Sequence, residues 1–398
     1  MKNGWEARKL GDLCQTGSGG TPLKAKKEYY EGGTIPWLLS GEVSQGEVRE
    51  ATNFITQKGL ENSSAKMFPK DTVLVAMYGA TAGQVGILRF EAATNQAVCG
   101  IFPNKFFIPE FLFYFLLSRK DELVAQAAGN AQPNISQIKI RNTDVPIVPR
   151  SEQQRIVGIL DETFDGIAAA KGNAEKNLQN ARALFESHLQ SVFTQRGEGW
   201  VERRLGDMAT FRNGINFTKS SRGDSVKIVG VKDFQNNFWA PLDNLESVVT
   251  DGKLPDSDKL KENDLLFVRS NGNMQLIGRC LLVGAVAEKI THSGFTIRTR
   301  LNGSGLSPKY LSHFLKSNNA RRKMIDSGIG TNIKSLNQVT LSALVIPFPS
   351  PGEQARIVDQ LEALNVETQH LESTYLRKLA ALDELKKSLL HQAFTGNL

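Results

Sequence analysis

The sequence predicts two α/β globules in tandem, each followed by a long helix. Three observations predict it. A ten-residue phrase is written twice: "SEQQRIVGIL" at 151–160 and "GEQARIVDQL" at 352–361. The texture of the chain changes once in each copy, from Gly-, Asn- and Thr-rich stretches with short β-type runs to a polar helical segment. Finally, the helical segment carries an apolar seam with the 3.5-residue period of a coiled coil.

The repeat extends well beyond that phrase. Trp5 and "RKLGDL" (8–13) match Trp200 and "RRLGDM" (203–208). "IPWLLSGEV" (35–43) loosely matches "KIVGVKDF" (227–234), with Glu42 answered by Asp233. "FPKDTVLVAMYGATAGQVGIL" (68–88) matches "LKENDLLFVRSNGNMQLIGRC" (260–280), and Asp71 is aligned with Asp264, each just before a β-type run. Pro109, Phe111, Leu112 and Phe115 correspond to Pro308, Tyr310, Leu311 and Phe314, and "LQSVFT" (189–194) to "LHQAFT" (390–395). The order is the same throughout, so a unit of about 200 residues is duplicated; a period this long means two similar domains and not a solenoid.

The elements follow in order. Residues 1–150 and 196–351 are the globules. Runs such as "TVLVAMY" (72–78), "LLFV" (265–268) and "CLLVGAV" (280–286), bounded by turn residues, are strands. One helix is expected at 109–127 and its partner at 308–326. Pro-punctuated stretches, "VPIVP" (145–149) and "IPFPSP" (346–351), read as hinges. Residues 151–195 and 352–398 are the long helices. In the first, Val157, Leu160, Phe164, Ile167, Lys171, Ala174, Leu178, Ala181, Phe185, His188 and Val192 fall at alternating steps of three and four. In the second, Val358, Leu361, Tyr375, Leu379, Leu382, Leu389 and Ala393 form a less regular stripe. Each helix offers the other an apolar face, and some 40 residues at 1.5 Å each make a rod of roughly 60 Å.

Composition is that of a soluble globular chain, 398 residues with 40% apolar and 22% charged. The densest apolar run, "FFIPEFLFYFLL" (106–117), is short and split by Pro109 and Glu110, so no membrane span is expected. The opening residues lack the apolar core of a signal peptide. Three scattered cysteines, Cys14, Cys99 and Cys280, suggest buried thiols in a reducing cytoplasm. Net charge is +7 and is unevenly spread: +3 over 1–150, −2 over 151–194, +8 over 195–351 and −2 over 352–398. A polyanionic partner would therefore meet the globules and not the helices.

Catalytic furniture is absent from both copies. "GATAGQVG" (79–86) lacks the Gly-Lys-Ser/Thr ending of a phosphate loop. No dinucleotide fingerprint and no Asn/Asp-Pro-Pro-aromatic tetrapeptide occurs. The five histidines form no i, i+4 ligand pair, so no metal site is expected. "LPDSDKLKEND" (254–264) has the acids of some nuclease sites but no following Glu-x-Lys, and reads as a polar turn before a strand.

The duplication, the two "EQxRI" phrases, "SGGTP" (18–22), "IPWLLSGEV", "LVAMYGATAGQVG" and "ATNQAVCGIF" (93–102) together resemble the specificity subunits of type I restriction–modification systems, over the whole chain. The second half departs from that wording, with "RNGINF" (212–217) and "RSNGNMQ" (269–275). The resemblance implies that each globule is a target-recognition domain reading one half of a split, asymmetric DNA site. It implies that the helices pair as an antiparallel coiled coil, set the gap and dock two methyltransferase subunits. Those subunits would carry S-adenosylmethionine and methylate adenine, and a motor-nuclease subunit would add cleavage. This chain would bind no cofactor and have no catalytic role. The rival reading is a self-sufficient DNA-binding regulator whose two domains act like a covalent dimer.

Bases are read by Arg, Asn, Gln, Ser and Thr, and phosphates are held by Lys, Arg and backbone amides. The loops rich in these types give Thr21, Lys24, Lys26, Lys27 and Tyr30, then Tyr78, Thr81 and Gln84, then Gln132 and Asn134 in the first globule. The second globule gives Arg212, Asn216, Lys219 and Arg222, then Arg269, Asn271, Asn273 and Gln275, then Thr331, Asn332 and Lys334. "ARRK" (320–323) reads equally as a phosphate clamp or a solvated helix end. Trp37 and Phe102 read as core residues. Glu152, Gln153, Glu353 and Gln354 stand where a helix begins and could accept its free N–H groups or dock a partner.

Overall fold

A computed structural model of the chain describes residues 5–126, 134–195, 197–235, 237–303, 305–326 and 335–398. It divides into two units: Met1–Glu175 with Arg377–Leu398, and Lys176–Leu376. Each unit holds one globule and a share of both long helices.

In unit 1 the strands are β1 (Glu6–Lys9), β2 (Thr16–Ser18), β3 (Ile35–Leu38), β4 (Glu47–Val48), β5 (Phe54–Ile55), β6 (Met67–Phe68), β7 (Val73–Ala76), β8 (Val85–Leu88), β9 (Ala92–Thr94), β10 (Val98–Ile101) and β11 (Asp144–Ile147). Its helices are α1 (Leu10–Leu13), α2 (Gln57–Glu61), α3 (Pro109–Ser118), α4 (Lys120–Ala125), α5 (Gln137–Arg141) and the start of α6 (Arg150–Thr194). One sheet runs β2-β10-β7-β8-β4 and a second β5-β3-β9-β6. β7, β8 and β10 are buried at every position, as expected of the unbroken apolar runs "VLVA", "VGIL" and "VCGI".

Unit 2 repeats this plan. Its strands are β12 (Val201–Arg204), β13 (Ala209–Asn213), β14 (Ser225–Val229), β15 (Glu246–Val249), β16 (Leu265–Val268), β17 (Cys280–Leu282), β18 (Ile290–His292), β19 (Thr296–Leu301) and β20 (Val345–Phe348). Its helices are α7 (Pro308–Lys316), α8 (Asn318–Asp326), α9 (Gln338–Ser342) and the start of α10 (Pro351–Thr395). The sheets β13-β19-β16-β17 and β15-β14-β18 follow those of unit 1 with one strand fewer each, counterparts of β4 and β6 being absent among the described residues, and keep the one parallel pair in the smaller sheet, β3 with β9 and β14 with β18.

The structure corrects four details of the sequence reading. One proline of each presumed hinge lies within a strand, Pro146 of β11 facing Ala7 and Pro347 of β20 facing Glu202, while Pro149 and Pro349 follow the strands and Pro351 opens α10. A two-stranded ribbon is all edge, where a missing N–H is tolerated. Secondly, each expected single helix is two. Arg119 separates α3 from α4, and Ser317 separates α7 from α8 in an extended conformation. The Ser317 hydroxyl donates to Phe314 O at 2.7 Å and accepts from Ala320 N, closing one helix and opening the next. Thirdly, Asp71 pairs with Asn263 and not Asp264. Asp71 and Asn263 share a left-handed backbone, φ 68° and 70°, one residue earlier than the buried Asp264. Fourthly, the α6 seam drifts. Val157, Leu160, Ile167, Ala174, Leu178 and Ala181 are buried, but beyond Phe185 the buried residues are Leu189 and Phe193, while His188 is exposed. A straight helix slips ahead of a 3.5-residue repeat, and these last turns face a globule core.

In unit 1, Lys171 Nζ meets Asp383 Oδ1 at 2.6 Å and Arg155 Nη2 donates to the Leu398 carbonyl at 2.9 Å. In unit 2, Arg182 meets Glu372 at 2.9 Å, and Leu189 and Phe193 share a core with Ile357, Val358 and Leu361. Rising numbers on α6 thus meet falling numbers on α10, which is antiparallel pairing in both units. Each helix also ends in the globule of the other copy. Phe394, at the end of α10, packs edge-on against Phe111 and Phe115 of α3, both at 5.4 Å. Phe193, at the end of α6, does the same with Tyr310 and Phe314 of α7, at 5.5 and 5.3 Å. The matched phrases "LQSVFT" and "LHQAFT" are these two plugs.

Unit 2 buries two neutral histidines. Burial and the nearby Arg298 push His292 down to about 3, and burial and the nearby Lys316 push His313 to about 4. In the unfolded chain both protonate below about 6.5. Unfolding then takes up protons, so stability is full above pH 6.5 and falls as pH drops toward 4, by at most about 1.4 kcal/mol per pH unit for each ring. Urea titrations at a series of pH values are expected to show this loss, and His313→Phe to remove roughly half of it.

Candidate nucleic-acid interface

The unit 1 site is built around a glycine turn. A Cβ on Gly19 would lie 2.2 Å from Thr94 O, and one on Gly20 2.3 Å from the Ser64–Ala65 backbone. Gly20 N donates to Thr94 O at 2.9 Å and Trp37 Nε1 to Gly20 O at 2.9 Å. This close approach aims the following residues into a groove of about 830 Å³ that Thr21, Lys24, Lys27 and Tyr30 line. Tyr30 stands edge-on to Trp37 at 6.0 Å and donates its hydroxyl to Pro22 O at 2.5 Å. Trp37 is 5% exposed and Phe102 packs against Phe68 at 5.3 Å, so both belong to the core.

Among the groove residues that escaped the sequence reading are Asn53, Phe54, Asn95 and Gln96, together with the acid Glu31 and Thr52. Gln96 Oε1 accepts from the Thr21 hydroxyl, tying the two segments together. Asn95 and Gln96 lie within "ATNQAVCGIF", a stretch that carries the family resemblance but none of the loop residues predicted to touch DNA. Lys26 turns away, with Nζ on the Tyr29 hydroxyl at 3.2 Å and over its ring. Tyr78, Thr81 and Gln84 form a separate loop beyond β7, joined to Asn134 by a bridge between Tyr78 and Asn134. Gln132 lies outside the described residues.

Unit 2 repeats the turn despite its different wording. A Cβ on Gly214 would lie 2.2 Å from His292 O, and Ile215 N donates to that oxygen at 2.9 Å. The groove beside it, about 450 Å³, takes Asn271 with Phe217, Lys232, Ser270, Ser293 and Phe295 among its walls. Phe217 and Phe295 are large, exposed and missed by sequence reading, because phenylalanine reads as core. Asn216, Lys219, Asn273 and Gln275 are exposed. Asn271 and Asn273 each accept a backbone N–H two residues on, at 2.8 and 2.9 Å, which shapes the loop and leaves their amide donors outward. Arg222 donates to Ser220 O and Ser221 O at 3.2 Å. Arg269 is half-buried, its amide bonded to Phe295 O at 2.8 Å. Arg212 is exposed and pairs with Asp258. Thr331, Asn332 and Lys334 lie outside the described residues.

Asp264 is 1% exposed and is gripped by Arg300 through two bonds of 2.7 Å. Among the described residues no group of three His, Cys, Asp or Glu could hold a metal, and no helix is long and apolar enough to cross a membrane.

The partner-docking assignment needs correction at two residues. Gln153 and Gln354 are each 1% exposed. Gln153 accepts from Ile108 N at 2.9 Å and donates to Phe106 O and Val148 O at 2.7 and 3.0 Å. Gln354 accepts from Ser307 N at 2.7 Å and donates to Gly305 O and Pro349 O at 3.1 and 3.0 Å. They staple the segment before α3 or α7 to the start of the long helix, and neither caps its own helix. Glu152 and Glu353 are more accessible, each paired with the arginine three residues on.

The grooves give testable weight to the lysines. Lys24→Ala with Lys27→Ala is expected to lower DNA affinity about equally for all sequences and to reduce the slope of log K against log salt by up to about 1.8, since each phosphate contact contributes about 0.9. Anisotropy titrations over a salt series check this.

Known proteins support the same reading. The type I restriction modification DNA specificity domain matches this chain twice, over residues 2–178 and 197–380. The StySPI specificity subunit of Salmonella potsdam is 23% identical, covering 100% of this chain and 90% of its own. The EcoKI specificity subunit of Escherichia coli is 25% identical, covering 93% and 84%. A solved structure addressing complex assembly and conformational transition of the type I R-M system contains a chain of the same fold, with a TM-score of 0.81 at 19% identity over 100% of this chain and 99% of that one. Two matched domains in one chain, each carrying the same turn and groove, leave one assignment: the chain belongs to the type I restriction–modification DNA specificity family.

Proposed function

We propose that the chain is the DNA sequence-specificity subunit of a type I restriction–modification complex. Each globule reads one half of a bipartite, asymmetric site, and the paired helices set the gap. The observation that carries this is the duplicated groove beside an equivalent glycine turn, the first lined by Lys24, Lys27, Asn53, Asn95 and Gln96, the second by Asn271, Ser270, Phe217 and Phe295 with Lys232 paired to Glu246. The grooves differ in wording, "SGGTP" against "RNGINF", as two readers of different sequences would. Lysines hold phosphates there, while Asn95 and Gln96 in one groove and Asn271 in the other have the paired donor and acceptor that adenine presents a match for.

In this reading the chain performs no chemistry. Two methyltransferase subunits, carrying S-adenosylmethionine, dock at equivalent surfaces near the helix starts, where Glu152 and Glu353 stand, and a restriction subunit adds cleavage. Methylome sequencing of cells expressing the chain with a matching methyltransferase subunit tests the reading. A new split motif is expected, and exchanging residues 1–150 for another such domain is expected to change one half of it. A contiguous motif, or a change in both halves, defeats the proposal. Tight specific binding by the chain alone in a gel shift would instead favour the self-sufficient regulator.

A further inference from the structure

Unit 2 holds a second cavity, of about 330 Å³, away from its DNA-reading groove. Three cations reach it, Arg279, Lys316 and Arg321, against one carboxylate, Glu186. Arg321 is the inward member of the "ARRK" run. These cations are oriented by backbone carbonyls. Arg279 donates to Gln275 O at 3.2 Å and to Gln235 O; Arg321 donates to Gln275 O as well. Lys316 Nζ donates to Asn237 O at 2.9 Å and to Cys280 O at 3.2 Å. Carbonyls fix the direction of a cation without cancelling its charge, so Lys316 and Arg321 together outweigh Glu186 in a partly desolvated space.

The cavity carries signs of an unfilled electrostatic demand. Burial, reinforced by the charge of Arg279, holds Arg321 below its usual pKa, and Glu186 only partly opposes this. Arg321 Nε is buried without a hydrogen-bond partner, as is Nε2 of His313, a lining residue that is 4% exposed. Buried unpaired polar atoms are rare enough in folded proteins to ask for a reason. The other walls are aromatic: Phe185 of α6, and Phe238, which lies 4.7 Å from the His313 ring and under Lys316 Nζ at 5.4 Å. Asn365 and Gln369 of α10 add neutral polar groups.

We propose that this cavity binds a small phosphate ester, its phosphate held by Arg279, Lys316 and Arg321 and its flat body against Phe185 and Phe238. Two guanidinium forks and an ammonium suit a tetrahedral oxyanion better than a lone carboxylate. The volume is that of a small ligand pocket. Because α6, α7, α8 and α10 all contribute, an occupant would brace the unit 2 globule against both long helices.

Calorimetry and thermal-shift measurements on the purified full chain, at matched ionic strength with chloride as control, test this. The probes are inorganic phosphate, phenyl phosphate and adenosine monophosphate. Both esters are expected to bind more tightly than inorganic phosphate. Lys316→Met and Arg321→Gln are each expected to weaken binding about tenfold or more, the scale of one charge-assisted hydrogen bond. Gln369→Trp, an exposed helix position that leaves the core intact, is expected to block the esters by filling the cavity. No response to any probe at millimolar concentration overturns the proposal. So does equal binding by the parent and all three variants, which would place the anions on the DNA-reading face. A response to inorganic phosphate alone overturns the role given to Phe185 and Phe238.

Discussion

Lengthening α6 and α10 by one turn each is expected to widen the gap of the recognised site by one to two base pairs and to leave both half-sites unchanged. The helices invite this experiment because each is continuous for 45 residues, with antiparallel contacts in both units. Four residues inserted after Glu175 and four after Leu376 enlarge both strands of the pair where the two units divide. The insertion adds about 6 Å of rise and turns the helix by about 40° beyond a full revolution. One base pair of B-DNA adds about 3.4 Å and turns the duplex by roughly 35°. Rotation therefore favours one extra pair and rise nearly two, and DNA flexibility absorbs the remainder. Inserting the residues in one helix only leaves four without partners and is expected to abolish methylation. Methylome sequencing reads both outcomes. A motif with an unchanged gap, or one with altered half-sites, would show that the helices do not measure distance.

The repeated phrase "EQxRI" was visible in the sequence, but its meaning was only half legible. Ile156 with Leu160, and Ile357 with Leu361, read correctly as apolar helix residues and are buried. The glutamines did not. A Gln near a helix start looks like a solvent-facing capper; Gln153 and Gln354 are instead buried staples between segments some 45 residues apart. Only tertiary packing supplies those partners, and nothing local announces it. The same limit explains the grooves. Glycine turns and lysines mark where a loop approaches a sheet, so Thr21, Lys24, Lys27 and Tyr30 were found together. Gln96 comes to Thr21 from 75 residues away, and exposed Phe295 follows a strand that reads as core, so neither stood out. Arg212 shows the opposite case, an exposed candidate that also has a partner within the fold. Its residue type suits DNA, and Asp258 also holds it. Residue type names a capacity, and the fold decides where it is spent.

Phe394→Ala is expected to cost about 3–5 kcal/mol, the usual price of deleting a buried phenyl ring. The location of the damage matters more than its size. Phe394 belongs to the second repeat by sequence, yet it is 2% exposed within the core of unit 1, between Phe111 and Phe115 of α3. Its loss opens a cavity under α3 while the equivalent plug in unit 2, Phe193 against Tyr310 and Phe314, stays whole. Hydrogen exchange is therefore expected to accelerate in α3 and at the end of α10, by at least about a hundredfold for 3 kcal/mol, with α7 unchanged. Phe193→Ala is expected to give the mirror result, with α7 exposed and α3 protected. If Phe394→Ala instead loosened α7, each helix would end in the globule of its own copy. The crossed arrangement makes a further demand on the chain: neither globule can complete its core until the other copy's helix has been made. The first globule in particular must await the last turns of α10, so a chain cut before His391 is expected to keep unit 2 protected and to leave unit 1 exchanging as though Phe394 were gone.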